Sequence, residues 1–196
     1  MKLTAVMTMV VVITMTAFAG VAKTDTINVD GNIVTVNPDP KDLSVLYTET
    51  SHPELYCLAL NIYHEARGDN LAGQFAVADV VLNRVEDRRY PNTICEVVKE
   101  GPISKWWKEE KGIEVPVRNR CQFSWWCDGK SDEPNSPLSW RKAQEIAYHI
   151  VNDNLYRGVT EGATHYHATY VDPSWNRSMV VIGRIGEHIF YKSLPK

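Results

Sequence analysis

The hydrophobic pattern of this chain changes its period once, and that change constrains the fold more than any other feature. From about residue 51 onward, apolar residues recur every three to four positions, whereas after Gly158 they alternate with other residues in β-branched runs. The first period indicates helices with one buried face, and the second indicates strands. We therefore predict an α+β domain that is mainly helical, with a small antiparallel sheet at its C-terminal end.

Three helices are predicted from the apolar positions that share a face. The first begins near Ser51 and buries Leu55, Leu58, Ala59, Ile62 and Ala66. The second buries Leu71, Phe75, Ala78, Leu82 and Val85. The third follows Ser136-Pro137, a cap residue and then a proline at the first helical position, and buries Ala143, Ile146, Ala147 and Ile150. A long, aromatic and loop-rich insert separates the second helix from the third.

The strands are predicted at 164–171, 179–182 and 188–191. The last two are close enough to pair through the turn at Ile185-Gly186-Glu187.

The N-terminal segment differs in kind from the rest of the chain. Lys2 precedes an uncharged apolar stretch, and Ala17-Phe18-Ala19 supplies small residues at the spacing that a signal peptidase needs. Residues 1–19 therefore indicate a cleaved signal peptide, with a retained membrane anchor as the alternative. Residues 20–50 form a leader in which Asp30-Gly31 favours a small hairpin, unless the segment is a flexible spacer. The compact domain is expected at 51–196.

The cysteines and the net charge agree with export. There are four cysteines, an even number, which suggests two disulfides in an oxidising compartment. Cys121 and Cys127 are close in sequence, so we favour that pair and, with it, Cys57 with Cys95. A zinc site would need tighter cysteine spacing. The formal net charge of -3 argues against nucleic-acid binding by bulk electrostatics.

Glu65 is the candidate for acid catalysis. It lies three residues after Ile62, beside the buried stripe and near the C-terminal end of the first helix. Desolvation and the negative end of the helix dipole both raise the pKa of a carboxyl group in that position. Cleavage of a glycosidic bond needs such a protonated acid, because the leaving oxygen must receive a proton. The alternative is a surface glutamate paired with Arg67 or His64.

Several ordered motifs resemble the SleB-like, spore-cortex-lytic family of cell-wall hydrolases. They are NIYHEARG from Asn61, GQFAVADVVLNRV from Gly73, YPNTICEVV from Tyr90, CQFSWWCDG from Cys121, GATHYHA from Gly162, DPSW from Asp172 and IGEHIFY from Ile185. The resemblance covers residues 55–191 and implies a lysozyme-like fold, cleavage of the peptidoglycan glycan strand, and Glu65 as the catalytic glutamate.

The resemblance implies that Glu65 protonates the β-1,4 bond between N-acetylmuramic acid and N-acetylglucosamine. A lysozyme-type hydrolase needs a second carboxylate, and Asp69, Asp79, Asp128 and Asp172 each have an easier explanation as a cap or turn residue. Without a clear partner, the lytic transglycosylase route is favoured, in which the sugar's own acetamido group and C6 hydroxyl take part.

The family segment CQFSWW is expected to line the glycan cleft. Gln122 and Ser124 supply hydrogen bonds, and Trp125 supplies a ring that can stack on a sugar; Tyr63 and Phe123 complete this group of candidate binding residues. Adjacent aromatics are usually buried in part, so one of Trp125 and Trp126 is expected in the core. Trp106 and Trp107, in a lysine-rich loop, are either a lid on the substrate side or a hydrophobic patch of that loop.

The THYH motif places His165 and His167 on one face of a strand and Tyr166 on the other. The histidine pair is interpreted as lining the cleft, with a structural role or half of a zinc site as alternatives. Tyr166, from the same motif, is also a candidate substrate-binding residue. His64-Glu65 begins like the HExxH motif of metalloproteases, but Gly68 occupies the position of the second histidine.

The expected function is therefore that of an exported, monomeric enzyme acting on peptidoglycan glycan strands, without a cofactor, metal or nucleic acid, and without stable membrane insertion after cleavage. Two alternatives belong to other classes. A zinc amidase or peptidase would use the histidines, and a non-catalytic wall-binding module would not depend on Glu65.

Overall fold

The computed structural model describes residues 25–29, 32–36 and 47–194. Strands β1 (Asp25–Val29) and β2 (Asn32–Val36) pair antiparallel, with Val29 opposite Asn32. These are the strands that the hairpin alternative requires, and they form a unit that is described by itself. The predicted signal peptide lies outside the described residues, and the predicted division of the chain stays a prediction. No helix among the described residues is long and apolar enough to cross a membrane.

The second unit is helical first and ends in a sheet. Its helices are α1 (Pro53–Ala66), α2 (Leu71–Glu86), α3 (Ile94–Val98), α4 (Lys105–Lys111) and α5 (Pro137–Asn152). Its strands are β3 (His165–Ala168), β4 (Met179–Ile185) and β5 (His188–Ser193). They form an antiparallel sheet in the order β3-β5-β4, and Ile185 opposes His188 across the predicted turn. The predicted α+β class is confirmed, and the insert contributes two short helices that the pattern had not revealed.

Helix starts follow local chemistry, with one correction. The Asn70 side chain accepts a hydrogen bond from the Gly73 N–H at 2.9 Å and so caps α2. Pro53 and Pro137 stand at the starts of α1 and α5, where a missing N–H costs nothing. Ser51 does not start α1, because its hydroxyl bonds with Thr48 instead and His52 occupies the capping position.

Helix α2 is buried on nearly all sides, contrary to the single stripe that was predicted. Phe75 and Ala78 are buried as expected, but Leu71 is exposed and the opposite face is also covered. The reason is that α2 contacts α1, α3 and α5 on one side, while Ala76 and Val80 pack with Phe190 of the sheet on the other. A helix enclosed in this way cannot show the simple periodicity of a surface helix.

Both favoured disulfides are present in the structure. Cys57 in α1 is bonded to Cys95 in α3, and Cys121 is bonded to Cys127. The first crosslinks two elements of the core, and the second closes the loop that carries the CQFSWW segment.

A buried carboxylate joins α2 to the segment that leads into the sheet. Asp79 is fully buried and accepts hydrogen bonds from the Arg157 guanidinium, from the Gly158 N–H at 2.9 Å, and from the N–H and hydroxyl of Thr160. Asn83, one turn later, donates to the Ala163 carbonyl at 2.8 Å. These bonds hold residues 157–163 against α2 and so fix where β3 begins.

Candidate active site

Glu65 occupies the last turn of α1, as predicted, and is half-buried. Its neighbours Ile62 and Ala66 point into the core, so the helix that fixes the backbone of Glu65 is itself held by packing. The negative end of the α1 dipole lies beside its carboxyl group, which disfavours the anion.

The side chain that contacts Glu65 comes from the first strand of the sheet. Tyr166 in β3 donates a hydrogen bond from its hydroxyl to Glu65 Oε2 at 3.2 Å. Its ring packs against Phe190 and His188 of β5, with ring centroids 5.6 and 5.1 Å apart. The sheet therefore acts as a support that presents the Tyr166 hydroxyl to the end of α1.

Two buried polar side chains that the sequence reasoning missed complete this environment. Arg84 of α2 donates from Nε to the Thr164 carbonyl at 2.8 Å, and Asn61 accepts a hydrogen bond from Trp125 Nε1 at 3.3 Å. Asn61 Nδ2 and Arg84 Nη1 are buried without a well-formed hydrogen bond to any described residue. Unsatisfied buried donors are uncommon. Both residues lie within the quoted motifs, but a polar residue gives no signal in the hydrophobic pattern.

The pKa of Glu65 is raised above its ordinary value because burial disfavours the charged carboxylate. The hydrogen bond from Tyr166 and the positive charge of Arg84 oppose that shift without cancelling it. Burial and the neighbouring Glu65 carboxylate raise the pKa of Tyr166 well above its usual range, so its hydroxyl keeps its proton and remains a donor. The arrangement favours the protonated form of Glu65 and holds its carboxyl group in a fixed orientation.

The CQFSWW segment divides between core and surface. Phe123 is buried, with the Arg84 guanidinium 5.2 Å from its ring centroid, and Trp125 is buried and stacked on His64 at 4.5 Å. The expectation that one of the two tryptophans is in the core is thus confirmed, and that tryptophan is Trp125. Gln122 and Ser124 are exposed, which leaves their side chains available to a ligand.

The histidines lie on one face of β3 and Tyr166 on the other, as the strand period predicted. His165 and His167 both contact the Trp175 ring, and His167 Nε2 lies 2.8 Å from the Tyr191 hydroxyl. His167 Nδ1 lies 2.9 Å from the Ala168 carbonyl, so both of its ring nitrogens are engaged. Burial, with help from Arg84, lowers the pKa of His165 to about 4. The contacts of this pair are with the sheet rather than with Glu65, and its binding role stays a prediction.

Tyr63 is buried, and its hydroxyl organises the loop before α5. It accepts hydrogen bonds from the Asn135 and Ser136 N–H groups, both at 3.0 Å, and donates to Asn135 Oδ1 at 2.8 Å. The ring also borders a cleft of about 330 Å³ that Trp125 and Arg67 help to line. A substrate contact by Tyr63 stays a prediction, while its structural contacts are extensive.

None of the four aspartates considered as a second acid is seen in contact with Glu65 in the described part of the chain. The Asp69 carboxylate accepts hydrogen bonds from the Asn70 and Glu187 N–H groups at 2.6 and 2.9 Å, joining the α1–α2 turn to the β4–β5 turn. Asp128 accepts from the Lys130 N–H, and Asp172 accepts from Asn176. Asp79 is neither a cap nor a turn residue, because it lies inside α2 as the anchor described above.

Glu100 is a carboxylate that the sequence reasoning did not consider. Burial lowers the pKa of Arg84, and the nearby Tyr166, Tyr90, Glu100 and Glu65 partly offset that effect. Glu65 and Glu100 therefore both lie close enough to the buried Arg84 to interact with its charge. Glu100 Oε2 is buried without a hydrogen-bond partner among the described residues, and the side chain lines a cleft of about 420 Å³ together with Gln122.

Among the described residues, no group of three or more His, Cys, Asp or Glu side chains is arranged to hold a metal ion.

The comparison with protein families identifies residues 68–191 as matching the family described as Cell Wall Hydrolase. The match begins after Glu65, so the catalytic role of this glutamate stays a prediction.

Two curated relatives illustrate how far the similarity extends. The spore cortex-lytic enzyme of Halalkalibacterium halodurans is 29% identical over 142 residues, which are 71% of this chain and 35% of the relative. The spore cortex-lytic enzyme of Bacillus cereus is 42% identical over 50 residues, which are 26% of this chain and 19% of the relative. The chain thus spans about a third or less of the length of these relatives.

Two solved structures are also similar to this chain. The catalytic domain of the Bacillus cereus SleB protein is 25% identical, with a TM-score of 0.45 over 74% of this chain and 92% of that one. The catalytic domain of the germination-specific lytic transglycosylase SleB from Bacillus anthracis is 26% identical, with a TM-score of 0.46 over 74% and 97%.

Proposed function

Because the chain belongs to the Cell Wall Hydrolase family, we propose that it is an exported enzyme that cleaves peptidoglycan glycan strands with Glu65 as the acid. The bond broken is the β-1,4 linkage between N-acetylmuramic acid and N-acetylglucosamine. The observation that supports this most is the half-buried Glu65 at the end of α1. Its pKa is raised, and its carboxyl group accepts a hydrogen bond from the Tyr166 hydroxyl.

In the proposed reaction, Glu65 donates its proton to the bridging oxygen as the glycosidic bond breaks. The Tyr166 hydroxyl orients the carboxyl group beforehand and stabilises the carboxylate that proton transfer leaves behind, because a hydrogen bond to a charged acceptor is stronger than one to a neutral acceptor. The Arg84 charge acts in the same direction. Burial favours the protonated form before the reaction, and these two groups limit the cost of ionisation during it.

We further propose a lytic transglycosylase outcome. In that route the acetamido group of the muramic acid stabilises the positive charge at its anomeric carbon. The C6 hydroxyl then attacks that carbon and gives its proton to the Glu65 carboxylate, so a 1,6-anhydro end forms and the acid is regenerated. Only one carboxyl group is required, which agrees with the engagement of Asp69, Asp79, Asp128 and Asp172 in other contacts.

The mass of the products tests this outcome. Muropeptides released from purified peptidoglycan by the mature protein are expected to carry anhydro ends, each lighter than a hydrated end by one water. Hydrated reducing ends would contradict the lytic route and would make Glu100 the first carboxylate to replace, since its Oε2 is buried without a hydrogen-bond partner among the described residues and it lies near Arg84. Release of free peptides would contradict glycan cleavage altogether.

The pH dependence tests the role of Tyr166. Glu65 acts in its protonated form, so activity is present below its pKa and is lost as the pH rises through it. The Tyr166 hydrogen bond lowers that pKa, so Tyr166→Phe raises it and moves the alkaline limb of the pH–rate profile to higher pH. The rate at the optimum should fall about tenfold through the lost hydrogen bond. The control is Tyr191→Phe, whose hydroxyl contacts His167 instead; an alkaline limb that moves equally in both variants would contradict the assignment.

A further inference from the structure

An exposed aromatic arm projects from the insert between α3 and α5. We define it as residues 102–117, which contain α4 at the tip. The Ser104 N–H donates to the Val115 carbonyl and the Val117 N–H to the Pro102 carbonyl, both at 2.8 Å, so the two ends of the arm are paired. The arm therefore has a defined base, although α4 itself has no buried residue.

The tip of the arm exposes large apolar side chains in a concentrated patch. Trp106 is 55% exposed, Trp107 is 39% exposed and Ile113 is 53% exposed. The two indole rings lie edge to face, with centroids 4.9 Å apart. Exposed apolar surface of this kind is uncommon without a partner, because it costs free energy in water.

The base of the arm borders the cleft that Gln122 of the CQFSWW segment helps to line. The Gln122 N–H donates to the Glu100 carbonyl at 2.8 Å, and Gly101 lies so close to Cys121 that an added Cβ would be 2.8 Å from its Sγ. Glu100, Gly101 and Pro102 line the 420 Å³ cleft with Gln122. The arm thus begins at Pro102, on the side of the cleft that Gln122 and Glu100 also line.

The charge of the arm favours a sugar ligand over a lipid surface. Its three lysines are balanced by three glutamates, Lys105, Lys108 and Lys111 against Glu109, Glu110 and Glu114, and Lys108 is already paired with Glu114. An arm without net charge has no electrostatic attraction to anionic lipid, which interfacial helices usually need. The C–H-rich face of a pyranose ring packs on an indole face without needing charge.

We propose that this arm is a second glycan-binding site, on which Trp106 and Trp107 hold the polymeric strand beyond the sugars that react at Glu65. The inference rests on the proposed function, because it assigns the arm to the same peptidoglycan substrate. It gives the enzyme a preference for long strands over short fragments.

The binding test uses protein carrying Glu65→Gln, so that the polymer stays intact. Its dissociation constant for insoluble peptidoglycan, measured by co-sedimentation, should rise about tenfold or more when Trp106→Ala and Trp107→Ala are added. The control is Tyr170→Ala, which removes a side chain that is 88% exposed outside the arm and should change binding by less than twofold. Equal binding with and without the two indoles would overturn the proposal, and so would an equal loss in the control.

The activity test separates this proposal from the proposed function. In the otherwise unchanged enzyme, Trp106→Ala with Trp107→Ala should lower the ratio of kcat/KM on polymeric strands to that on soluble two-disaccharide fragments by about tenfold. An unchanged ratio, with active enzyme, would contradict glycan binding by the arm and leave the proposed function standing. If the unaltered protein released no muropeptides, the proposed function would be contradicted, and so would the proposed glycan site on the arm. The proposal would also be contradicted if Trp106→Ala with Trp107→Ala abolished binding to phosphatidylglycerol vesicles and left peptidoglycan binding intact, because the arm would then contact lipid.

Discussion

Replacing Glu65 by Gln is expected to reduce muropeptide release about a thousandfold, the contribution typical of a general acid. Glutamine keeps the size and hydrogen-bonding shape of the protonated side chain but has no proton to give to the leaving oxygen. The measurement is the rate of soluble product formation from purified peptidoglycan, followed by mass spectrometry. Residual activity within tenfold of the unaltered protein would contradict the assignment of the acid.

The stability of the Glu65→Gln variant separates loss of chemistry from loss of fold. The folded-state pKa of Glu65 is raised by burial, so the ionised side chain destabilises the folded protein at pH values above its unfolded pKa. Glutamine avoids that cost, and the free energy of unfolding at neutral pH should be equal or slightly higher. Glu145→Gln is the matched control, because that half-buried residue forms only an ion pair with Arg141 near the surface.

Replacing Asp79 by Ala is expected to lower the free energy of unfolding by about 3–5 kcal/mol. The change leaves Arg157 without its buried charged partner and removes the acceptor for the N–H groups of Gly158 and Thr160. Buried donors that lose their acceptor pay the full cost of desolvation. For a domain of this size the melting temperature should fall by roughly 10 °C or more, as measured by circular dichroism.

Glu86→Gln is the control for Asp79, because Glu86 is the other carboxylate paired with Arg157 but is largely exposed. Its loss should change the free energy of unfolding by about 0.5 kcal/mol or less. Similar effects of Asp79→Ala and Glu86→Gln would contradict the view that burial makes Asp79 the anchor. Since this anchor fixes the segment that leads to Tyr166, activity should fall in the Asp79 variant even at temperatures where it stays folded.

The parts of the fold that depend on local sequence were predictable. The buried stripe of α5, the β4–β5 turn and both disulfides follow from spacing or turn chemistry that a few neighbouring residues determine. The alternation of His165, Tyr166 and His167 across β3 is likewise a property of any strand. By contrast, α3 and α4 are too short to show a full helical period.

The candidate site was predictable only in part, because burial and polar contact join residues that are far apart in sequence. The family resemblance, together with its position in a helix, made Glu65 the candidate acid, but nothing local indicated that Tyr166, about 100 residues later, would reach it. The strand period left open which of its faces would meet α1, and packing of Phe190 under Tyr166 decided it. Arg84 and Glu100 gave no signal because each looks like an ordinary surface charge until the fold encloses it.

The sequence by itself determined the class of the fold and the disulfide pairs, since periodicity and cysteine spacing act over short distances, and its motifs made Glu65 the predicted acid. Only the tertiary structure decided what surrounds that acid. It enclosed α2 on both sides, buried Asp79 and Arg84, turned Tyr166 rather than the histidines toward Glu65, and left the two indoles of the arm in solvent. The physical reason is that desolvation and hydrogen bonding depend on which surfaces meet, and that is fixed by packing between elements rather than by the residues of any one element.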